Sequence, residues 1–342
     1  MKRTSLFGAA VAALLSITGA GTAGAQIVTL KLADRLPQDH YVARYSTNYW
    51  IEEVEKTTNK KVTITRFPSE RLGKSKDMLM LSKAGITDIG EFVPGYVGDP
   101  LLLSTVAELP GMVPNACVAS MAYEKLAKPG GLLDKVELAP QGLHLLYVVG
   151  LPAYQLFASR KFDSLDTMKG LKIRSSGPAM DDGLRALGMV PIRMSAAELS
   201  ESFSRGTVDG MAFPAASIFT YDLQSKTKFG TSDLSFGSSI TFYAISTKAW
   251  AKLSPDVQKA MTEAGERTTA HACKLIDKEE QDAIGKLATG GMTVVKLSDA
   301  DRQKFDADLA TVAQQWADAA DKRGRKGSEV LKEFREAVKQ SR

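Results

Sequence analysis

Met168-Lys169-Gly170-Leu171-Lys172-Ile173-Arg174-Ser175-Ser176-Gly177-Pro178 is the stretch from which the fold is most readily read. Leu171 and Ile173 alternate with Lys172 and Arg174, the period of a short strand with one buried face. Gly177 and Pro178 then open a helix, because proline is preset for a first helical turn and lacks only an N–H that such a turn leaves unused. Leu184 and Leu187 can face the sheet from that helix. In open α/β sheets ligands collect beyond the carboxyl ends of strands, and Arg174 stands at such an end. A guanidinium there offers a carboxylate a rigid fork, a charge-assisted bond contributing about 1.5–3 kcal/mol. The alternative is an ordinary surface arginine.

Outward from this unit, strand and helix patterns alternate. Val28–Ala33 and Val62–Phe67 read as strands, and Asp88-Ile89-Gly90 begins a third. Helix periods cover 41–56 and the stretch after Gly73, where Met78, Leu79 and Leu81 supply apolar surface. This alternation predicts α/β layers with mainly parallel strands. Two extended segments, 143–159 and 234–247, exceed the roughly 5–6 residues of an average strand. They are either long strands of one sheet or a pair crossing between two lobes. Ser254-Pro255 then supplies an N-cap and a first-turn proline for a helix reaching about Ala288. Residues 299–320 and 328–338 are again helical, and the basic turn 322–326 between them reads as solvated.

The length, 342 residues, predicts two domains, since single cores stop growing near roughly 250 residues. A hydrophobic share of 44% excludes disorder, and two cysteines exclude a disulfide scaffold. Three histidines far apart leave little for a metal or redox site, so no cofactor is expected. Lys2 and Arg3 precede an apolar run over 6–17 that ends in Ala23-Gly24-Ala25, the pattern of an export signal cleaved after Ala25. That run is shorter than the ~20 residues a membrane span needs. A periplasmic protein is expected. The net charge of +5, or +3 once Lys2 and Arg3 are lost, gives no reason to expect a nucleic-acid partner.

Several catalytic signatures are missing. There is no Gly-x-Ser-x-Gly elbow, no Gly-rich phosphate loop and no paired-histidine zinc spacing. Ser225-Lys226-Thr227-Lys228 matches Ser-x-x-Lys without its companion motifs, a chance occurrence. Asp181-Asp182 and Glu279-Glu280 are sequence neighbours, about 100° apart on a helix, and are expected on solvated faces. Cys117 and Cys273 each sit in an apolar helical pattern. Two separate core thiols are expected, rather than a bridge closing a loop of 156 residues.

Taken in order, residues 168–174, Ala186-Leu187-Gly188, Gly206-Thr207-Val208-Asp209-Gly210 and Pro214 make a set that is hard to obtain by accident. Leu72-Gly73, Gly85-Ile86-Thr87-Asp88-Ile89 and Leu109-Pro110 support it. Through them the chain resembles the periplasmic substrate-binding component of tripartite ATP-independent periplasmic (TRAP) transporters, the DctP type. The resemblance implies an α/β, two-lobed periplasmic binding protein fold, its lobes joined by crossing strands and a long helix. Lobe 1 is expected over 26–150 with parts of 243–342 returning to it, lobe 2 over 151–242, and the bracing helix over 254–288. It further implies a small organic acid ligand, TRAP membrane permease subunits as partners, no enzymatic activity, and Arg174 as the group that pairs with the ligand carboxylate.

Two positions depart from family members that bind sialic acid or dicarboxylates. Tyr154 stands where they carry a second arginine, and Phe213 where they carry an asparagine before the proline. Two aromatic rings in place of polar groups suggest a monocarboxylate with an apolar or aromatic body. Alternatively Phe213 is core, and Arg71, Arg193 or Arg35 supplies a second charge; Arg35, following the first strand, is the best placed. Further cleft candidates are Ser75, Val93, Ser175, Met194, Tyr221 and Tyr243, with His40 expected as a helix cap or surface residue. Competing readings are C4-dicarboxylate binding on the same fold, an exported enzyme acting on small acids, and delivery of the ligand to a sensor.

Overall fold

The computed structural model describes residues 27–342, so the expected export signal lies outside the described residues. Strands β1 (Val28–Ala33), β2 (Val62–Phe67), β3 (Ile89–Phe92), β4 (Leu143–Gly150), β5 (Gln155–Ala158), β6 (Lys172–Ser175), β7 (Val190–Arg193), β8 (Gly210–Phe213), β9 (Phe229–Gly230), β10 (Ile240–Ser246) and β11 (Thr293–Val294) form two sheets. The first is ordered β2-β1-β3-β10-β4 and the second β11-β9-β5-β8-β6-β7. Helices cover both, giving a two-lobed α/β protein.

The sheets are mixed rather than mainly parallel. β1 runs parallel to β2 and β3, and β6 parallel to β7 and β8. β10 instead lies antiparallel between β3 and β4, and β5 antiparallel to β8 and β9. The cause is the crossing. The chain leaves the first sheet along β4 and enters the second along β5, then returns into β10. An outgoing and a returning segment side by side must be antiparallel, and they bond to each other between the sheets: Leu151 N–H to Ser239 O at 2.9 Å, Tyr154 N–H to Gly237 O at 2.8 Å, Phe236 N–H to Tyr154 O at 3.1 Å.

The helix Pro255–Thr289 braces this crossing. It packs on β4, on Tyr49–Thr57 and Ala116–Ala127 of the first lobe, and on Ala215–Thr220 of the second. Its buried stripe includes Met261, Ala264, Thr268, Ala272 and Ile276, spaced at three and four residues as one helical face requires. Gly265 lets the helix reach the sheet, since a Cβ there would fall 1.9 Å from Leu146 O.

Two expectations are corrected in this region. Cys117 and Cys273 are bonded to each other, with Cα atoms 4.6 Å apart, rather than forming separate buried thiols. Their apolar surroundings indicated buried helix faces but not that the two faces meet. Asp277, one turn beyond Cys273, accepts from Ala116 N–H and Cys117 N–H at 2.7 and 3.2 Å and so caps the shorter helix. The acid pairs are not both solvated either. Asp181 is buried beside Arg193 and Ser175, and Glu280 is buried with its carboxylate on Ala215 and Ala216 N–H at 2.8 and 2.9 Å. The rotation that separates neighbours on a helix sends one of each pair inward.

Candidate functional site

Arg174 leaves β6 and is fully buried, at 0% exposure. Its Nε donates to Met194 O at 3.1 Å, Nη1 to Ala212 O at 3.3 Å and Nη2 to the Tyr96 hydroxyl at 2.8 Å. Three of five N–H groups are thereby used, and among the described residues no carboxylate pairs with it. Burying a cation with only neutral dipoles around it is costly, a deficit that an anionic ligand would offset. The buried acid Glu108 feels the Arg174 charge. Burial lifts its carboxyl to about 8, against the Gly95 N–H and the Arg174 charge, so at neutral pH it is largely uncharged. Its Oε2 has no hydrogen-bond partner, while Oε1 accepts from Gly95 N–H at 3.2 Å.

This gives a sign for the pH dependence of stability. The folded state holds the Glu108 proton up to about pH 8, and the unfolded chain releases it near the ordinary glutamate value of about 4.3. Between those limits the folded state binds more protons, so this group's contribution falls as pH rises. Glu108→Gln keeps an acceptor for Gly95 and removes the titration. It is expected to raise the melting temperature more at pH 8.5 than at pH 5, in paired thermal scans; an equal change at both would contradict the assignment.

An aromatic wall stands beside the cation. The Arg174 Cζ lies 5.2 Å from the Phe213 ring centroid, a cation–π arrangement. Phe213 meets Tyr154 edge-on at 6.2 Å and Tyr221 at 6.0 Å, and Tyr221 meets His40 at 5.5 Å. His40 caps its helix, Nδ1 accepting from Val42 N–H at 3.1 Å, and is buried rather than on the surface. Burial, with Arg35, Arg66 and Arg44 around it, keeps this imidazole neutral.

Arg35 joins the same group from the first lobe. Its Cζ lies 5.9 Å from the Tyr96 ring centroid, its backbone N–H donates to Glu91 Oε2 at 2.7 Å, and its Nη2 approaches Glu91 Oε1 at 3.4 Å. Burial lifts the Glu91 carboxyl to about 7, against the pull of Arg35. The Tyr221 phenol is pushed up to about 12 by burial, and Arg35, Tyr96, Glu91 and Arg174 all act on it. These contacts link Arg174, Tyr154, Phe213 and Tyr221 from the second lobe and crossing segment with Arg35 and Tyr96 from the first in one cluster.

Not every predicted residue is brought there. Ser75 gives its backbone N–H and hydroxyl to Glu70 Oε1 at 2.9 and 3.0 Å, and the Ser175 hydroxyl is held by Asp181. Tyr243 belongs to the first lobe's core, stacked on Tyr147 at 4.4 Å and accepting from Thr47 Oγ1 at 2.9 Å. Val93 is a buried N-cap of the helix Pro94–Val97, and Met194 takes part through its carbonyl. Arg193 is paired with Asp181, and Arg71 is exposed. Tyr96 is the residue that sequence reasoning missed. The available signal was Pro94-Gly95-Tyr96 just beyond the carboxyl end of β3, the kind of position that marked Arg174.

The lobes meet beside this cluster. A Cβ on Gly177 would fall 2.5 Å from Gly95 Cα, and Tyr41 Oη lies 3.2 Å from Ser217 Oγ across the junction.

Two α/β lobes joined by a crossing strand pair, closed on a buried cation with an aromatic wall, define a two-lobed binding protein. A model of the bacterial extracellular solute-binding protein family 7, DctP, matches residues 33–319, and the chain belongs to that family. It is a TRAP-type solute-binding protein, a receptor and not an enzyme. It is 25% identical over 281 residues to the C4-dicarboxylate-binding periplasmic protein DctP of Rhodobacter capsulatus, covering 78% of this chain and 80% of that one. A TRAP periplasmic solute-binding protein of Bordetella bronchiseptica, solved with bound (R)- and (S)-mandelate, is 27% identical with a TM-score of 0.82, covering 92% and 99% of the two chains. A TRAP solute-binding protein of Rhodoferax ferrireducens, in complex with copurified benzoate, is 21% identical with a TM-score of 0.84, covering 92% and 98%.

Proposed function

We propose that this protein captures a small monocarboxylate with an apolar or aromatic body between its lobes and, in the periplasm, hands it unchanged to TRAP membrane permease subunits. The observation that carries the reading is Arg174: a wholly buried guanidinium, without a carboxylate partner among the described residues, lying over Phe213. Arg174 takes the ligand carboxylate in place of a protein acid, and closure of lobes 26–150 and 151–242 excludes water, which strengthens the pairing. Micromolar to nanomolar binding needs about 8–12 kcal/mol, more than one charged hydrogen bond supplies. The rest comes from apolar area buried against Tyr154, Phe213 and Tyr221 at about 25 cal/mol per Å². The mandelate bound by the Bordetella bronchiseptica relative, an aromatic monocarboxylate, supports this choice over a dicarboxylate.

Thermal unfolding with added ligand tests it, because a ligand that binds only the folded state raises the melting temperature. Phenylacetate is expected to stabilise the wild type and succinate to leave it nearly unchanged. Tyr154→Arg, which places a second guanidinium in the wall, should gain a response to succinate. Tight binding of succinate by the wild type, or no gain in the variant, would count against the monocarboxylate assignment.

A further inference from the structure

Arg35 and Glu91 carry two polar atoms without hydrogen-bond partners among the described residues. Arg35 Nε and Glu91 Oε1 are both buried, and neither makes a hydrogen bond. Arg35 is 8% and Glu91 1% exposed at the side chain. The 3.4 Å approach of Arg35 Nη2 to Glu91 Oε1 is an ion pair whose alignment falls short of a hydrogen bond. Glu91 Oε2 is already satisfied by the Arg35 backbone N–H at 2.7 Å, and Arg35 Nη2 reaches Thr241 Oγ1 only at 3.5 Å. Buried polar groups in a folded protein are nearly always paired, so an orphaned donor beside an orphaned acceptor in one ion pair asks for an explanation.

Its position supplies one. Tyr96 stands between the two arginines, with Arg174 Nη2 on its hydroxyl at 2.8 Å and the Arg35 Cζ 5.9 Å from its ring centroid. A ligand whose carboxylate sits on Arg174 therefore has the Arg35–Glu91 pair within reach along the same ring. A single atom that both accepts and donates would satisfy the two orphans together, and a hydroxyl oxygen is that atom.

We infer that Arg35 and Glu91 form a second subsite that reads a hydroxyl group on the ligand, Arg35 Nε–H donating to its oxygen and Glu91 Oε1 accepting its proton, so that the preferred substrate is a hydroxylated monocarboxylate. This rests on the carboxylate-binding reading of Arg174. The pair discriminates because an unhydroxylated acid leaves both buried polar atoms unpaired, a loss larger than the mean value of the bonds themselves.

Calorimetric titration with four acids of one skeleton tests the inference: phenylacetate, mandelate, 3-hydroxyphenylacetate and 4-hydroxyphenylacetate. At least one hydroxylated acid is expected to bind the wild type about tenfold or more tightly than phenylacetate. That margin should shrink in Glu91→Gln and vanish in the paired Arg35→Met/Glu91→Leu variant, which removes both charges and so avoids stranding one. Phenylacetate binding by the same variant is the reference for the margin, and circular dichroism shows that the variant keeps its fold. Hydroxylated acids binding no better than phenylacetate to the wild type, or a margin that survives in the paired variant, overturns the subsite while leaving the carboxylate reading intact. Failure of all four acids to bind overturns both.

Discussion

Arg174→Ala is expected to lower carboxylate affinity by about thirtyfold to several thousandfold in a calorimetric titration of the folded protein. Truncating one partner of a buried, hydrogen-bonded charge pair costs about 2–5 kcal/mol, and each 1.4 kcal/mol is about tenfold in Kd. The size follows from the closed geometry. Met194 O, Ala212 O and Tyr96 Oη surround the guanidinium and, among the described residues, no acid is bonded to it, so its charge is left uncompensated. Arg174→Lys keeps the charge but loses the planar fork that bonds two carbonyls, a hydroxyl and a ligand at once, so it should recover only a minor part of the affinity. Circular dichroism and the melting temperature of each variant separate lost binding from lost structure. An unchanged Kd in folded Arg174→Ala would remove the anchor from the mechanism.

The second large effect is on stability. Replacing Cys117 and Cys273 together by alanine is expected to cost about 2–5 kcal/mol of unfolding free energy, because the bridge closes a loop with a sequence separation of 156. A long closed loop removes more freedom from the unfolded chain than a short one, by the chain-entropy account. The bridge also ties the start of Ala116–Ala127 to the helix that spans both lobes, where Asp277 already caps it. Urea unfolding of the oxidised protein, the reduced protein and the double variant would measure this. Reduced protein and double variant should share a lowered midpoint, and three coincident curves would refute the prediction. The bridge suits the oxidising compartment proposed for the protein.

Much of the architecture was legible in local pattern. The period-2 runs at Val28–Ala33 and Val62–Phe67 became strands with those bounds, and the Ser254-Pro255 start opened the helix Pro255–Thr289. Alternation and capping are recorded within a turn or a few residues, which is why they can be read directly. The two long extended segments were also visible, but only the structure showed that they bond to each other across the gap between sheets and so impose antiparallel neighbours on both.

The chamber was legible in part. Arg174 and Arg35 follow from a rule about strand ends, and Tyr154 and Phe213 from their departure from the family pattern. Tyr243 and Ser75 followed equally plausible cues, yet one ring turned into the core on Tyr147 and one hydroxyl was taken by Glu70. Strand-end position says where a backbone stops; which way a side chain leaves depends on the neighbours that close around it.

The amino-acid order alone pointed to many of the elements, to the family and to Arg174 as the candidate anchor. Tertiary structure decided who meets whom: Cys117 with Cys273, Tyr96 with Arg174 across 78 residues, Arg35 with Glu91 across 56. Periodicity is a property of short windows, whereas these contacts exist only once two lobes have packed and closed, and no short window contains both partners.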